Sequence, residues 1–408
     1  MRRLRVAITA FFALDGFVFA GWVVRIPAVK EQTGASPSAL GLALLGVSAG
    51  AVVTMVVTGR LCQRFGNHPV TVVSGVLLAL SVSLPPHADS ALVLGGMLLV
   101  FGTAFGAVNV SANSAAVDLI AALGRPVMPS FHAAFSLGGM LGAGLGGLVA
   151  GRLSAAWHLA GLCVVGLVVA AVAGRALLGS PVPPREAAGA ARDAADPEAP
   201  GADGAGSPER EPGEGGAAAA GPGRRRARWL VAVLGFVALC TAYGEGALAD
   251  WSALHLRETL DASPGVAASG YSVFALAMTV GRLTGSTVLE RVGQTPALVA
   301  GGATAAVGML VASLAPVLWL ALVGFAVTGL GLANIFPVAI GQAGALAGAP
   351  GVAAASTLGY GGMLVGPVAI GFLAEWWSLA TALTTVAALS AAAAVTAYAT
   401  RHAVRAPG

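Results

Sequence analysis

Charged residues are scarce in this chain. Asp, Glu, Lys and Arg make up 10% of its 408 residues, whereas apolar residues make up 57%. Ordinary soluble domains carry about 25% charged residues, because water-exposed surface is largely covered by them. The composition therefore excludes a soluble enzyme and a disordered chain, and it favours a protein with many membrane-spanning segments.

Cysteine is also rare. Cys62, Cys163 and Cys240 lie far apart and lack metal-ligand spacing, so we expect no disulfide framework, no metal and no cofactor. The net charge of +4 comes mainly from arginines between apolar runs. Membrane topology explains that placement, so we expect no nucleic-acid partner. Neither a Walker loop nor an H-E-x-x-H motif occurs, which argues against direct ATP drive and against a membrane enzyme.

The chain contains twelve apolar runs, each roughly long enough to cross the hydrocarbon core of a bilayer, about 30 Å thick. They predict an all-α polytopic membrane protein with twelve transmembrane helices. The runs are 6–24, 39–58, 70–84, 91–114, 126–150, 157–178, 229–251, 266–286, 295–315, 317–339, 352–373 and 379–399.

A central stretch divides these runs into two groups of six. Residues 181–227 are mostly Ala, Gly and Pro with scattered charges, a composition that cannot bury a core. We predict a disordered cytoplasmic linker there, between six-helix halves at 1–180 and 228–408. The halves resemble each other, since 35–37, 64–66 and 138–141 recur in order as 262–264, 291–293 and 361–364. Such repeats indicate duplication and are typical of transporters.

The arginines predict the orientation. Most lie on the side of the two termini, including Arg282, whereas the opposite side holds Arg25, Lys30, Arg152 and Arg257. Positive residues are enriched on the cytoplasmic side, so both termini are predicted to be cytoplasmic. The Ala-, Gly- and Arg-rich usage indicates a bacterial plasma membrane. We expect a multi-pass monomer.

Two loops carry a recognisable pattern. Gly59, Arg64 and Gly66 fit the motif G-x-x-x-D-R-x-G, although Gln63 stands where Asp is usual; the second-half copy is Glu290, Arg291 and Gly293. With twelve spans and two similar halves, the chain resembles the major facilitator superfamily. The resemblance implies alternating access, and loops that tie neighbouring helices through charge pairs.

Further stretches resemble the bacterial branch of that superfamily loosely related to fucose permease. They are Trp22-x-x-Arg25-x-Pro27, Glu245-x-x-x-x-Asp250-Trp251 and Gly270-Tyr271-x-x-Phe274. The resemblance implies that helices one, four, seven and ten line a central cavity, and that helices one and seven meet at an outer gate.

Charged groups inside apolar runs are candidates for coupling and gating, because they are costly in a membrane. Asp15 lies near the middle of helix one, and Glu245 lies within helix seven. Arg25 and Asp250 lie near the outer ends of these two helices. We expect Arg25 to pair with Glu245 or Asp250 when the outer gate is closed. The alternative for Asp250 and Arg25 is solvation at helix ends, and for Asp15 a bond within the bundle.

Amide, imidazole and aromatic side chains are candidates for the substrate cavity. Amides both donate and accept hydrogen bonds and suit hydroxyl-rich ligands, and aromatic rings offer stacking surfaces. The alternative for the amides and His132 is bonding between helices. The candidates are Trp22, Asn109, Asn113, His132, Tyr243, Tyr271, Asn334 and Tyr360.

The sequence predicts a secondary transporter that moves a small polar, sugar-like solute, coupled to protons. The alternative is a proton antiporter that exports a drug or a metabolite. Its argument is the glycine pattern of helix five, Gly138-x-x-x-Gly142-Ala143-x-x-Gly146-Gly147, which resembles the antiporter motif of the superfamily except that Ala143 replaces Pro. A hydrophobic, acid-bearing cavity would favour the alternative over an amide-rich one.

Overall fold

The computed structural model describes residues 1–123, 127–180 and 222–401. Within them it contains twelve helices long and apolar enough to cross a membrane, and no strand. The predicted fold class is therefore confirmed. The first half comprises α1 (Arg2–Val23), α2 (Ile26–Thr33), α3 (Pro37–Phe65), α4 (Asn67–Ser81), a 3₁₀ turn (Pro85–His87), α5 (Ala91–Leu123), α6 (Met128–Ala150) and α7 (Ala155–Leu178).

The second half repeats this plan. It comprises α8 (Pro222–Thr259), α9 (Pro264–Ala267), α10 (Ser269–Val292), α11 (Gln294–Leu314), α12 (Leu318–Leu332), α13 (Ile335–Trp376) and α14 (Leu379–Ala399). The tenth span, Leu318–Ala347, is formed by α12 and the start of α13, and the eleventh, Ala354–Trp376, by the rest of α13.

Local sequence sets where the helices begin. Ser36, Ser154 and Ser378 each adopt an extended backbone and accept a hydrogen bond from the backbone N–H three residues on. This satisfies an otherwise unpaired donor of the first turn. Pro37 follows the first of these serines, where its missing N–H costs nothing. The same Ser–Pro start recurs at Ser263 and α9.

Several predicted bounds differ from the structure. The seventh run, predicted to end at 251, continues as helix to Thr259, since no Gly or Pro interrupts it before Pro264. Residues 222–227 of the predicted linker are the start of α8, and the rest of that linker lies outside the described residues. The short α2 was not predicted.

The helices pair similarly in both halves. In the first half α1 packs on α6 and α3 on α5, and in the second α8 packs on α13 and α10 on α12. The halves meet mainly through α3 with α13 and α6 with α10. We call the face of the bundle on which α1 ends the distal face, and the face on which α1 begins the terminal face.

Contacts between the halves concentrate near the distal face. A Cβ added to Gly41 of α3 would lie 2.5 Å from the carbonyl oxygen of Pro367, and one added to Gly265 would lie 2.9 Å from that of Gly147. The close glycine contacts between halves in the described residues all lie on this side. Lys30 forms an ion pair with Glu258, and the backbone N–H of Ser38 donates to Glu375 at 3.1 Å. The distal side is closed by both backbone packing and polar contacts.

The outer surface of the bundle is apolar. Leu92, Leu148, Trp157 and Val172 are at least two-thirds exposed. A soluble monomer rarely presents so much contiguous apolar surface, whereas lipid tails cover it without cost. The surface agrees with a multi-pass membrane protein.

Candidate functional site

An ion pair lies inside the helix bundle. Nη2 of Arg282 donates to both carboxylate oxygens of Glu245 at 3.1 Å, and its Nε donates to the carbonyl oxygen of Ala333 at 3.3 Å. Glu245 belongs to α8 and Arg282 to α10, and both lie more than two turns from the ends of their helices. Two opposite charges therefore meet at a depth where an unpaired charge is costly.

The role of Arg282 was missed by the sequence analysis, which placed this arginine at the terminal-side end of helix eight. That run was predicted to end at 286, but α10 continues to Val292, so Arg282 is internal. The signal available in the sequence was an arginine flanked on both sides by apolar residues.

The ion pair lines a cavity between the two halves, with a volume of about 160 Å³. The first half contributes residues of α1, α5 and α6, and the second half contributes residues of α8, α10 and α13. Charged groups come from the second half, whereas the first half contributes rings, small residues and one hydroxyl group. The ring, hydroxyl and charged residues are Phe19, Phe105, Phe135, Ser136, Glu245, Tyr271, Phe274, Thr279 and Arg282.

Tyr271 is the predicted aromatic residue that does line the cavity. It interacts electrostatically with Glu245, Asp250 and Arg282, so its phenol lies among the charges of the second half. Asp250 is not among the described residues that line the cavity. The ring of Tyr271 is 6.3 Å from that of Phe274, which extends the aromatic surface along α10.

Arg25 does not pair with either acid, contrary to the prediction. Its Nε donates to Nδ1 of His158 at 2.9 Å and its Nη1 to the carbonyl oxygen of Ala150 at 3.4 Å. The side chain is 2% exposed. Arg25 follows the end of α1, and its partners on α6 and α7 belong to the same half. It therefore braces the first half in this structure, while Arg282 pairs with Glu245, one of the two acids expected to be the partner of Arg25.

Asp15 is buried near the middle of α1. It is 3% exposed, and its Oδ1 has no hydrogen-bond partner among the described residues. One turn along α1 lies Phe19, which stacks on Phe105 of α5 with ring centroids 5.0 Å apart. Because α1 and α5 run antiparallel, this register places Asp15 level with Asn109. An acid and an amide thus lie one turn from the cavity wall.

The three predicted amides are not among the described cavity-lining residues. Asn113 donates to the carbonyl oxygen of Asn109 at 2.7 Å, a bond within α5. Asn334 lies at the junction of α12 and α13 and donates to the carbonyl oxygen of Gly281 at 2.9 Å. Asn334 thus makes the bond between helices that was its alternative interpretation.

Four other predicted cavity residues lie elsewhere. Trp22 is 1% exposed and packs against Phe101. The buried hydroxyl group of Tyr243 is 2.9 Å from Oγ1 of Thr385 on α14. The remaining two make ring contacts outside the described lining: Tyr360 with Phe336 and the exposed His132 with Phe12.

The signature loops have matching backbones. Gly66 and Gly293 have φ values of 89° and 83°, a conformation that residues with a Cβ rarely adopt. Gly59 lies within α3 with open space beside it. In the described residues, Arg64, Glu290 and Arg291 form no ion pair, so the charge tie implied by the resemblance is not observed. Instead, Asn67 donates to Asp118 at 2.5 Å and joins α4 to α5.

One pattern that resembles a hydrolase motif lies in α3. Residues 46–50 read G-V-S-A-G, but a nucleophile of that type requires a sharp strand-to-helix turn. Here the pattern lies inside a continuous helix, where Gly46 and Gly50 pack against the backbone of α5. The run serves helix packing.

Comparison with known proteins decides the family. The family model of the Major Facilitator Superfamily matches residues 6–249. The chain belongs to this superfamily. Its members are transporters, not enzymes, which confirms that part of the prediction. An uncharacterized MFS-type transporter of Yersinia pestis is 31% identical over 389 residues, which cover 94% of this chain and 92% of the relative.

Solved structures of this superfamily share the fold. A bacterial homologue of the lysosomal transporter Spinster, in an inward-facing and unoccupied conformation, gives a TM-score of 0.73 at 14% identity, covering 98% of this chain and 96% of the other. A D-xylose-proton symporter gives a TM-score of 0.70 at 15% identity, covering 96% of each chain. At these identities the likeness concerns the fold alone.

Proposed function

We propose that this superfamily transporter is proton-coupled and moves a small solute through the cavity between its halves by alternating access. The observation that carries the proposal is the Glu245–Arg282 pair, which lines a cavity built from both halves. Rocking of one half against the other exposes such a site to each side in turn. The symporter with a similar fold supports protons as the coupling ion.

The orientation completes this proposal. The excess of arginines on the terminal side supports a cytoplasmic terminal face. We infer that the chain works as a monomer in a bacterial plasma membrane. The structure then represents the state closed toward the outside, since Lys30–Glu258 and Ser38–Glu375 join the halves at the distal face.

Glu245 is the residue best placed to couple protons to the solute. Its carboxylate is held by Arg282 and lines the cavity. Protonation would remove the negative charge from this pair and leave the guanidinium free to rearrange. Asp15 and Asp250 are further carboxyl groups within the helices, and they provide a route for protons on either side of the cavity.

The second candidate is an exchanger that exports a small drug or a metabolite against protons. The wall of the cavity favours it, because five aromatic residues and an acid line the cavity and the predicted amides do not. Few hydroxyl groups of a hydroxyl-rich solute would find hydrogen-bond partners on such a wall, and buried polar groups without partners weaken binding.

The test uses the full-length protein in vesicles that contain a pH dye and have their membrane potential clamped. Xylose, a polyol, an organic acid and a lipophilic cation are added outside in turn, with Glu245→Gln as the test variant and Glu31→Gln, at an exposed acid of α2, as control. Acidification inside indicates symport, and alkalinisation indicates exchange. Solute uptake without any pH change would refute proton coupling, and no uptake of any solute would refute the transport proposal.

A further inference from the structure

The balance of charge inside the helices is negative. Among the described helices, four Asp, Glu, Arg or Lys residues lie at least two turns from either end: Asp15, Glu245, Asp250 and Arg282. Three are acids and one is a base. Of the three acids, only Glu245 has an ionic partner among the described residues, and that partner is Arg282. In a medium of low dielectric constant, each of the other two carboxyl groups must either keep its proton or have a cation close to it.

Aromatic rings line the same cavity as Glu245, the one acid in its described lining. Phe19, Phe105 and Phe135 come from the first half, and Tyr271 and Phe274 face them from the second. The faces of such rings attract cations, and the attraction is stronger where water is excluded. The first half contributes no Asp, Glu, Lys or Arg to the described lining, so no positive group on that side opposes a cationic ligand.

The charged neighbours of Glu245 are known on each side. Arg282 of α10 pairs with Glu245, and Tyr271 of α10 interacts electrostatically with both of them and with Asp250 of α8. His132 of α6 interacts electrostatically with Arg282. Asp15 lies on α1, one turn from Phe19. Two carboxyl groups and one guanidinium therefore lie around the phenol of Tyr271. The guanidinium pairs with Glu245, which leaves one carboxyl group without a cation.

The size of the cavity limits the ligand. Its volume of about 160 Å³ is below the roughly 300 Å³ at which pockets for drug-sized ligands begin. A compact molecule with a single positive charge and an apolar body fits the volume of the cavity, its aromatic rings and its carboxylate.

Building on the transport function proposed above, we infer that the solute of this cavity is a small monovalent organic cation that competes with a proton for Glu245. When the cation binds, the protonated carboxyl group of Glu245 releases its proton to water, and the carboxylate then balances the charge of the ligand. When a proton returns, the cation leaves. The net charge of the site is the same in both states.

The test measures binding to the purified full-length protein in detergent with three probes of one shape. Tyramine is a cation, tyrosol is neutral and 4-hydroxyphenylacetate is an anion; choline serves as a second cation without an aromatic ring. Each probe is titrated while the thermal unfolding midpoint and the pH of a weakly buffered solution are recorded. Glu245→Gln is the test variant and Glu31→Gln the control.

At an acidic pH at which the site is protonated, we expect at least one of the cations to raise the midpoint and to release about one proton per molecule bound. The neutral and anionic probes should do neither. Because one proton is exchanged, the Kd for the cation should rise about tenfold for each unit by which the pH is lowered, within the acidic range in which the site is protonated. Glu245→Gln should retain the fold, lose the proton release and bind the cation at least tenfold more weakly, while Glu31→Gln behaves as the native protein.

Three outcomes would overturn the inference: preferential binding of the anion, equal binding of all three matched probes, or binding of neither cation by folded protein. The vesicle assay separates these from failure of the transport proposal. Tyramine and choline are added to that assay. Proton movement with a sugar, a polyol or an acid but with neither cation would leave coupled transport standing and refute the cationic substrate alone.

Discussion

Arg25 and His158 form a hydrogen bond of 2.9 Å inside the first six-helix half, from Nε of the arginine to Nδ1 of the histidine. The imidazole accepts this bond, so its proton resides on Nε2 and the ring is neutral. Nη2 of Arg25 and Nε2 of His158 are buried without partners among the described residues. The guanidinium therefore depends on His158 and on the carbonyl group of Ala150.

The first prediction concerns this pair. His158→Ala should lower the free energy of unfolding by about 2 kcal/mol, because hydrogen bonds to charged groups contribute about 1.5–3 kcal/mol. The thermal unfolding midpoint in detergent measures the change. His87→Ala is the control, since His87 is exposed and, among the described residues, its ring bonds to the carbonyl oxygen of Ser83 in its own turn. Equal midpoints for the two variants would show that the brace contributes nothing.

The number of membrane-spanning helices could be predicted from the sequence, because the length of each apolar run matches the thickness of the hydrocarbon core of a bilayer. The starts at Ser36 and Ser263 were likewise visible as repeated Ser–Pro pairs. Helix ends were less certain. The run through Asp250 continues to Thr259, and nothing local distinguishes the last turns of a span from its extension.

The partners of the charged residues could not be predicted in this way. Glu245 was identified as functional from its depth, but its partner depends on which face of α10 packs against α8. The sequence analysis paired Glu245 or Asp250 with Arg25, because helices one and seven were expected to meet at the outer gate, and it counted Arg282 only among the arginines on the side of the termini. The packing brings Arg282 to Glu245, and His158 to Arg25. Packing also decides the partner of Asn334, which was predicted to line the cavity. Its amide instead donates to the carbonyl oxygen of Gly281.

The second prediction tests the central ion pair. Arg282→Ala removes the cation that balances Glu245, so we expect transport to fall at least about tenfold, equivalent to roughly 1.4 kcal/mol. The side chains of Arg282 and Glu245 are 44% and 26% exposed, but both lie deep within their helices. Removing one partner there leaves an uncompensated charge, whereas removing both does not. The double variant Glu245→Gln with Arg282→Gln should therefore be more stable than Arg282→Ala, while proton coupling stays absent.

Solute uptake into vesicles, together with the unfolding midpoint, measures both effects. Arg401→Ala is the control, since Arg401 lies at the end of α14 and contacts only Tyr398 among the described residues. If Arg282→Ala transports at the native rate, Arg282 is not needed to hold Glu245.

The third prediction concerns Lys30 and Glu258, which join α2 to α8 across the two halves. Their side chains are 14% and 40% exposed, and such a pair contributes at most about 1 kcal/mol. Lys30→Glu should therefore increase the population open at the distal face by up to about fivefold, and the exchange of both charges, Lys30→Glu with Glu258→Lys, should restore it.

The rate at which an impermeant maleimide labels a cysteine at position 267 reports this opening, because Ala267 is 1% exposed and lines the cleft beside the pair. The three native cysteines are first replaced by serine. Arg152→Glu, at an exposed site of the same face, controls for the change in surface charge. Faster labelling in the doubly exchanged protein than in the native one would refute the role of the pair.

The fourth prediction tests whether backbone packing, more than the ion pair, closes the distal face. A Cβ at Gly41 would lie 2.5 Å from the carbonyl oxygen of Pro367, a contact that neither helix can relieve without moving. Gly41→Val should therefore hold α3 and α13 apart, speed labelling at position 267 by more than Lys30→Glu does, and stop transport. Gly96→Val adds the same side chain on α5 where nothing lies within 4 Å, so it should label and transport as the native protein does. Slow labelling of Gly41→Val with normal uptake would mean that the two helices separate and close without passing through this contact.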